Sequence, residues 1–180
     1  KQLMAANENM RLDHMTQAFN RKSFEEQMKK YHQLFQLSKC NVSLIILDID
    51  YFKKINDSYG HDVGDFILKE CVRFLKDVYN RPEDFIARIG GEEFAILLPD
   101  YRIEEAVRKA EEAMAGIRKE VFIQDKFEVR FTVSMGIAQL TGTETVEEWL
   151  KRTDQALYQS KNSGRNKYTV SCLPKLEKVA

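Results

Sequence analysis

Between Val42 and Ile137 the hydrophobic pattern changes period in the order strand, helix, strand, strand, helix, strand. "VSLIILDI" (Val42–Ile49) is a continuous apolar run of strand length, which predicts a buried strand. Ile67, Cys71, Phe74, Leu75 and Val78 mark one face of a helix. Phe85–Ile89 and Phe94–Leu98 read as two strands joined by a Gly-Gly turn. Ile103, Val107, Ala110, Met114 and Ile117 give a second helix. Phe127, Val129, Phe131, Val133, Met135 and Ile137 alternate strictly, which predicts one long half-buried strand. The order is that of an α+β, ferredoxin-like βαββαβ core with its helices on one face of an antiparallel sheet. Outside it, Phe24–Leu37 and the segment holding Val146, Trp149, Leu150 and Leu157 read as added helices, and "KYTV" as a short closing strand.

This order places chemistry. Strands 1 and 3 of such a core lie side by side and antiparallel, so the end of "LDID" meets the start of "EEF". Asp48 and one of Glu92 and Glu93 therefore converge at one sheet edge, since successive strand side chains point to opposite faces. Two hard oxygen ligands with waters and a phosphate suit Mg²⁺; taken alone, the pair also reads as solvated turn carboxylates. "YFKKINDSYGHDVGDF" (Tyr51–Phe66) reads as a turn after the strand, with a lysine pair, backbone amides that suit phosphates, and an Asn and Asp that suit a base. "SKNSGRNK" (Ser160–Lys167) places Lys161 and Arg165 just after a helix, where two cations suit a polyphosphate.

The bulk composition narrows the classes. The 180 residues suit one domain, and 28 Lys plus Arg balance 28 Asp plus Glu. Zero net charge argues against nucleic-acid or membrane-surface binding by bulk electrostatics, and leaves room for a local basic patch. Three scattered cysteines (Cys40, Cys71, Cys172) and three dispersed histidines (His14, His32, His61) form no disulfide framework or zinc motif. A reducing cytoplasm fits, and no apolar run approaches a membrane span. The start, without Met or signal-peptide pattern, reads as a piece cut from a longer chain. Residues 1–12 read as the end of a helix entering from something upstream, 13–171 as one folded domain and 172–180 as a tail. Tyr59, Tyr158 and Phe94 read as packing residues.

"RIGGEEF" resembles the signature of the GGDEF family, the diguanylate cyclases, in its GGEEF form. "DIDYFKKINDSYGHDVGD", "FTVSMGIA" and "DQALYQSKNSGRNKY" are similar to the family's other signature stretches, and the likeness runs from about Asp13 to Val170. It implies a nucleotide-cyclase-like fold. It also implies a reaction in which two GTP give cyclic di-GMP and two pyrophosphates, each 3′-hydroxyl attacking the partner's α-phosphorus within a two-fold dimer. By the same resemblance Asp48, Glu93 and the Ile49 carbonyl hold Mg²⁺, with Mn²⁺ as the alternative, and Glu92 lies near the ribose. Gly90 and Gly91 let the nucleotide approach, and Asn56 and Asp65 bind guanine. The Phe52 and Lys53 amides meet phosphates, and Lys161 and Arg165 grip the triphosphate. Asp50 reads either as a support for the metal ligands or as a plain strand-end carboxylate.

"RPED" (Arg81–Asp84) resembles the family's inhibitory site, where cyclic di-GMP feeds back; the alternative is a surface ion pair. One departure stands at Gln17-Ala18, where the family has Gly-Leu, and it puts the usual turn in question. The implied partners are GTP, cyclic di-GMP, a second copy of the domain and an upstream sensor, through which a membrane anchor is compatible, with no nucleic acid. Competing readings are a non-catalytic module that binds GTP or cyclic di-GMP, and an enzyme making a hybrid dinucleotide, for which Asp65 discriminates. An RNA-binding βαββαβ domain is a third, which the acidic-aliphatic "EEFAILLP" fits poorly.

Overall fold

The computed structural model describes residues 10–171. In chain order its elements are α1 (Arg21–Ser38), β1 (Val42–Ile49), α2 (Phe52–Tyr59), α3 (His61–Val78), β2 (Phe85–Arg88), β3 (Glu93–Pro99) and α4 (Ile103–Lys119). There follow β4 (Phe122–Gln124), β5 (Phe127–Val129), β6 (Val133–Gln139), α5 (Val146–Asn162) and β7 (Tyr168–Val170). The main sheet has the order β2-β3-β1-β6-β7, antiparallel except for the β6–β7 pair. The core βαββαβ order is therefore as the periodicity predicts.

All eight residues of β1 are buried, which accounts for its unbroken apolar run. Ile45, Leu47 and Ile49 join the core made with α3 and α4, whereas Val42, Leu44 and Ile46 join Phe24, Met28 and Trp149 from α1 and α5. The core's own helices thus lie on one face, and the added helices close the other. Helix α5 sits directly on β6: a Cβ at Gly136 would lie 2.4 Å from both the Leu157 amide nitrogen and the Thr153 carbonyl oxygen. Nothing but glycine permits that approach, and the Trp149 indole, donating to the Ala138 carbonyl at 3.0 Å, fixes the same contact.

Four expectations need correction. The stretch after β1 is helical from Phe52, not a turn. The alternating run from Phe127 is two strands: β5 pairs with β4 in a separate ribbon, and β6 enters the main sheet. Tyr158 is exposed, whereas Phe94 is buried and Tyr59 packs against the core. The turn at Gln17 persists, because Gln17 itself adopts left-handed backbone (φ 62°) and Asp13 accepts from the Thr16 amide and hydroxyl at 2.9 and 2.7 Å. Of the helix end expected over residues 1–12, residues 1–9 lie outside the described residues, as does the tail 172–180. Among the described residues Cys40 and Cys71 are free, and no helix is long and apolar enough to cross a membrane.

Candidate active site

The β1–β3 register sets Asp48 directly opposite Glu93. Both share the parity of Leu44 and Ile46, so their side chains lie on the face covered by α1 and α5. From α5, Lys161 Nζ reaches Asp48 Oδ2 at 2.9 Å. Burial pushes the Asp48 carboxyl up, and the charges of Glu92 and Asp50 add to this against the lowering influence of Lys161. Glu93 is pushed up too, by burial first and then by the charges of Asp154 and Asp48. Two half-desolvated carboxylates held face to face favour a bound cation, and Lys161 is such a cation now. Among the described residues no three His, Cys, Asp or Glu side chains cluster at metal-holding distance. A site with two carboxylates therefore fits a cation that takes its remaining ligands from water and substrate oxygens.

The hairpin turn between β2 and β3 is held from outside. Arg88 donates to the Gly91 carbonyl through Nε at 3.1 Å and through Nη2 at 2.8 Å, while its Nη1 reaches Asp13 at 3.3 Å. Arg21 donates to the Ile89 carbonyl at 3.0 Å, and the Ile49 amide donates to the Glu92 carbonyl at 3.2 Å, closing the turn onto β1. Glu92 is half-buried beside it. A Cβ at Gly90 would press on Glu93, whereas one at Gly91 would meet no protein atom.

On the other side, Tyr51 turns the chain in left-handed backbone and no side chain caps α2, so the Phe52 and Lys53 amides at its start are unclaimed by the helix. Asn56, one turn on, lies against α3: a Cβ at Gly64 would stand 1.8 Å from Asn56 Oδ1. Gly64 is the residue before Asp65, so this contact sets Asn56 beside the segment of α3 that carries Asp65. The cation loop is fixed by Asp50, which is buried and accepts from Thr132 Oγ1 at 2.7 Å, Ser134 Oγ at 2.6 Å and the Asn166 amide at 2.9 Å. Its three bonds tie β1 to the approach to β6 and to the turn carrying Arg165, whose guanidinium lies 4.8 Å from the Tyr51 ring centre.

Arg81 and Asp84 are not part of this cluster. They stand at the far end of the hairpin, about 20 Å along β3 from its turn. The Asp84 side chain is only 1% exposed and accepts from the Arg81 amide, Nε and Nη2 at 3.1, 3.0 and 2.8 Å. The guanidinium also donates to the Pro99 carbonyl at 2.8 Å and lies 3.9 Å from the Tyr101 ring centre. The two residues form an ion pair, as the alternative has it, with the Asp84 carboxylate buried and the guanidinium partly exposed. Sequence reasoning missed Arg88, Gly64 and Asn166, whose roles exist only through contacts that the folded chain makes.

Facing carboxylates, a lysine on one of them, uncapped helix amides and an Asn/Asp pair thus stand at one end of the sheet of an α+β domain. Residues 10–167 match the family model for the diguanylate cyclase GGDEF domain. The chain belongs to the GGDEF family. Response regulator PleD of Caulobacter vibrioides is 37% identical over 158 residues, covering 86% of this chain and 34% of that protein. Diguanylate cyclase DgcM of Escherichia coli is 38% identical over 155 residues, covering 86% and 37%. The coiled coil and GGDEF domain of DgcB from Caulobacter crescentus, solved in complex with c-di-GMP, superposes with a TM-score of 0.90 at 28% identity, covering 94% of this chain and 90% of that one. The chain spans less than half the length of the curated relatives it matches.

Proposed function

We propose that this domain is a diguanylate cyclase, condensing two GTP into cyclic di-GMP with release of two pyrophosphates. The observation that carries the reading is the opposition of Asp48 and Glu93 with Lys161 already on Asp48. These carboxylates, with the Ile49 carbonyl, are assigned to Mg²⁺ or Mn²⁺, which when bound supplies positive charge to the phosphates. Asn56 and Asp65 bind guanine, the Phe52 and Lys53 amides donate to phosphate oxygens, and Lys161 and Arg165 take charge developing on the leaving pyrophosphate. Gly90 and Gly91 give the nucleotide its approach, and the open space over Gly91 supports this. Glu92 faces the ribose whose 3′-oxygen forms the new bond to the partner's α-phosphorus as the α–β bridge breaks and the hydroxyl proton leaves.

One domain offers one such site and the product is a ring of two, so the working unit is a two-fold pair with facing sites. Cyclic di-GMP feeds back at Arg81, with Asp84 holding the guanidinium. An upstream sensor sets the pairing, and the reaction runs in the cytoplasm. Incubating the domain with GTP and Mg²⁺ and separating the nucleotides tests the reading: cyclic di-GMP should appear. Binding of GTP without turnover, at any protein concentration, would make this a sensor module instead.

A further inference from the structure

The face of α2 that carries Tyr51, Lys54 and Ile55 is not the face that carries Phe52 and Asn56. It borders a cleft of about 400 Å³, whose other walls are Arg118 at the end of α4 and the chain from Arg130 to Thr132 before β6. Lys54, Arg118 and Arg130 thus reach one cleft from three separate segments, and among the described residues none of them has a carboxylate at ion-pair distance. The one acid in the lining, Asp50, has its oxygens committed to Thr132, Ser134 and Asn166. In a chain of zero net charge this is a local concentration of unpaired positive charge in a concave place.

The cleft is also shaped. Arg118 is oriented in advance: its Nε and Nη2 donate to Asn166 Oδ1 at 3.1 and 3.0 Å, while the Asn166 amide is held by Asp50. Among the described residues its remaining Nη1 edge has no acceptor. Ile55, Tyr59 and Phe131 provide an apolar floor. Planar guanidinium forks match phosphate oxygens, and the volume lies within the range of small-molecule sites.

We propose that this cleft binds a diphosphate-bearing small molecule, either free pyrophosphate or a nucleotide whose base lies on the apolar floor. Lys54, Arg118 and Arg130 take the phosphates. Occupancy reaches Arg165 by two routes: Lys54 and Arg165 both lie over the Tyr51 ring, at 4.6 and 4.8 Å, and Arg118 holds Asn166, the residue after Arg165. That this tunes the grip on a triphosphate rests on the cyclase reading; the binding itself does not.

Nuclear magnetic resonance of the ¹⁵N-labelled, metal-free domain separates the cleft from the hairpin site residue by residue. It is titrated with ADP, which lacks the guanine edge, and separately with inorganic pyrophosphate. Saturable shifts of the Arg118 and Arg130 side-chain N–H signals and the Lys54 amide are expected. The Arg118→Ala/Arg130→Ala variant should keep its melting temperature and lose affinity by about tenfold or more. Binding of ADP alone would assign the base to the floor, and equal binding of pyrophosphate would assign recognition to the phosphates; both uphold the site. Shifts confined to Gly90–Glu93, Lys161 and Arg165, equal affinity in the variant, or no shift with either probe would overturn it. Failure of GTP turnover would leave the cleft result untouched, so the two readings fail separately.

Discussion

Lys161 Nζ stands 2.9 Å from Asp48 Oδ2, so a side-chain cation occupies one of the two carboxylates that face each other across β1 and β3. A divalent ion entering alone has to displace it, whereas a nucleotide offers the ammonium another anion. On the proposed reading, metal and GTP binding are thereby coupled. Lys161→Met should raise the affinity for Mn²⁺ without nucleotide, on the order of tenfold, while raising KM for GTP. Unchanged Mn²⁺ affinity by paramagnetic resonance titration would show that the lysine does not compete.

Glu93→Gln should lower turnover on the order of 10²–10³-fold and, without metal, leave the domain at least as stable as before. The sign follows from linkage. Burial and the Asp154 and Asp48 charges raise the Glu93 carboxyl above its ordinary 4.5, so the native state holds its proton more tightly than the unfolded chain. Stability from this group is present below pH 4.5 and is lost as pH rises through the raised value. Melting curves of wild type and variant should therefore diverge above that pH, with Mg²⁺ narrowing the gap. A variant that melts lower at neutral pH would make Glu93 a structural residue.

Gly64→Ala should weaken GTP binding between tenfold and a hundredfold, roughly, with a smaller change in kcat. The new Cβ would stand 1.8 Å from Asn56 Oδ1 and must push that amide off its place. In an Asn56→Ala background the same substitution should add little, since its target is gone. Additive losses in KM would mean that Gly64 acts through something other than Asn56.

Arg81→Ala should relieve inhibition by cyclic di-GMP while leaving initial velocity nearly unchanged, because the residue lies a strand's length from the hairpin turn. It should also cost about 1–3 kcal/mol in stability by stripping donors from a buried carboxylate. Asp84→Asn should relieve inhibition as well, since Asp84 acts by holding the guanidinium. Equal inhibition constants in wild type and both variants would remove the feedback role from this pair.

Specific activity should rise with domain concentration, and below the dimer dissociation constant the rate should follow its square. A parallel coiled coil fused before Asp13 should raise activity at low concentration when its phase lets the sites face each other. Linear dependence across a range where sedimentation shows monomer would defeat the paired mechanism.

That Asp48 meets one of Glu92 and Glu93 was legible because antiparallel strand order brings those two strand ends together; the family resemblance named Glu93, and the register bears out that pairing. Helix α2 was not. "FKKINDSY" is eight residues rich in turn formers, and only Ile55 is buried, so no stripe marks it. The alternation from Phe127 to Ile137 runs unbroken through Arg130–Thr132, and a period of two says nothing about which partner each strand takes. Gly64 was invisible for another reason: what makes glycine necessary there is the Asn56 amide, a contact with no sequence pattern. Arg88, Asn166 and the Arg118 contact share that property.

Because α5 is seated on β6 at Gly136 with no room for a Cβ between them, neither element can slide past the other. Lys161 and Arg165 are carried on the end of that helix and its turn, with Asp50 tying the turn back to the sheet. The end of α5 and the turn after it are consequently held in place against the sheet. On the proposed reading, what an upstream input would alter is how often, and at what angle, two such domains come face to face. Control of this kind would behave like a hinge between two finished tools, and damping the motion of either one alone should leave its output unchanged.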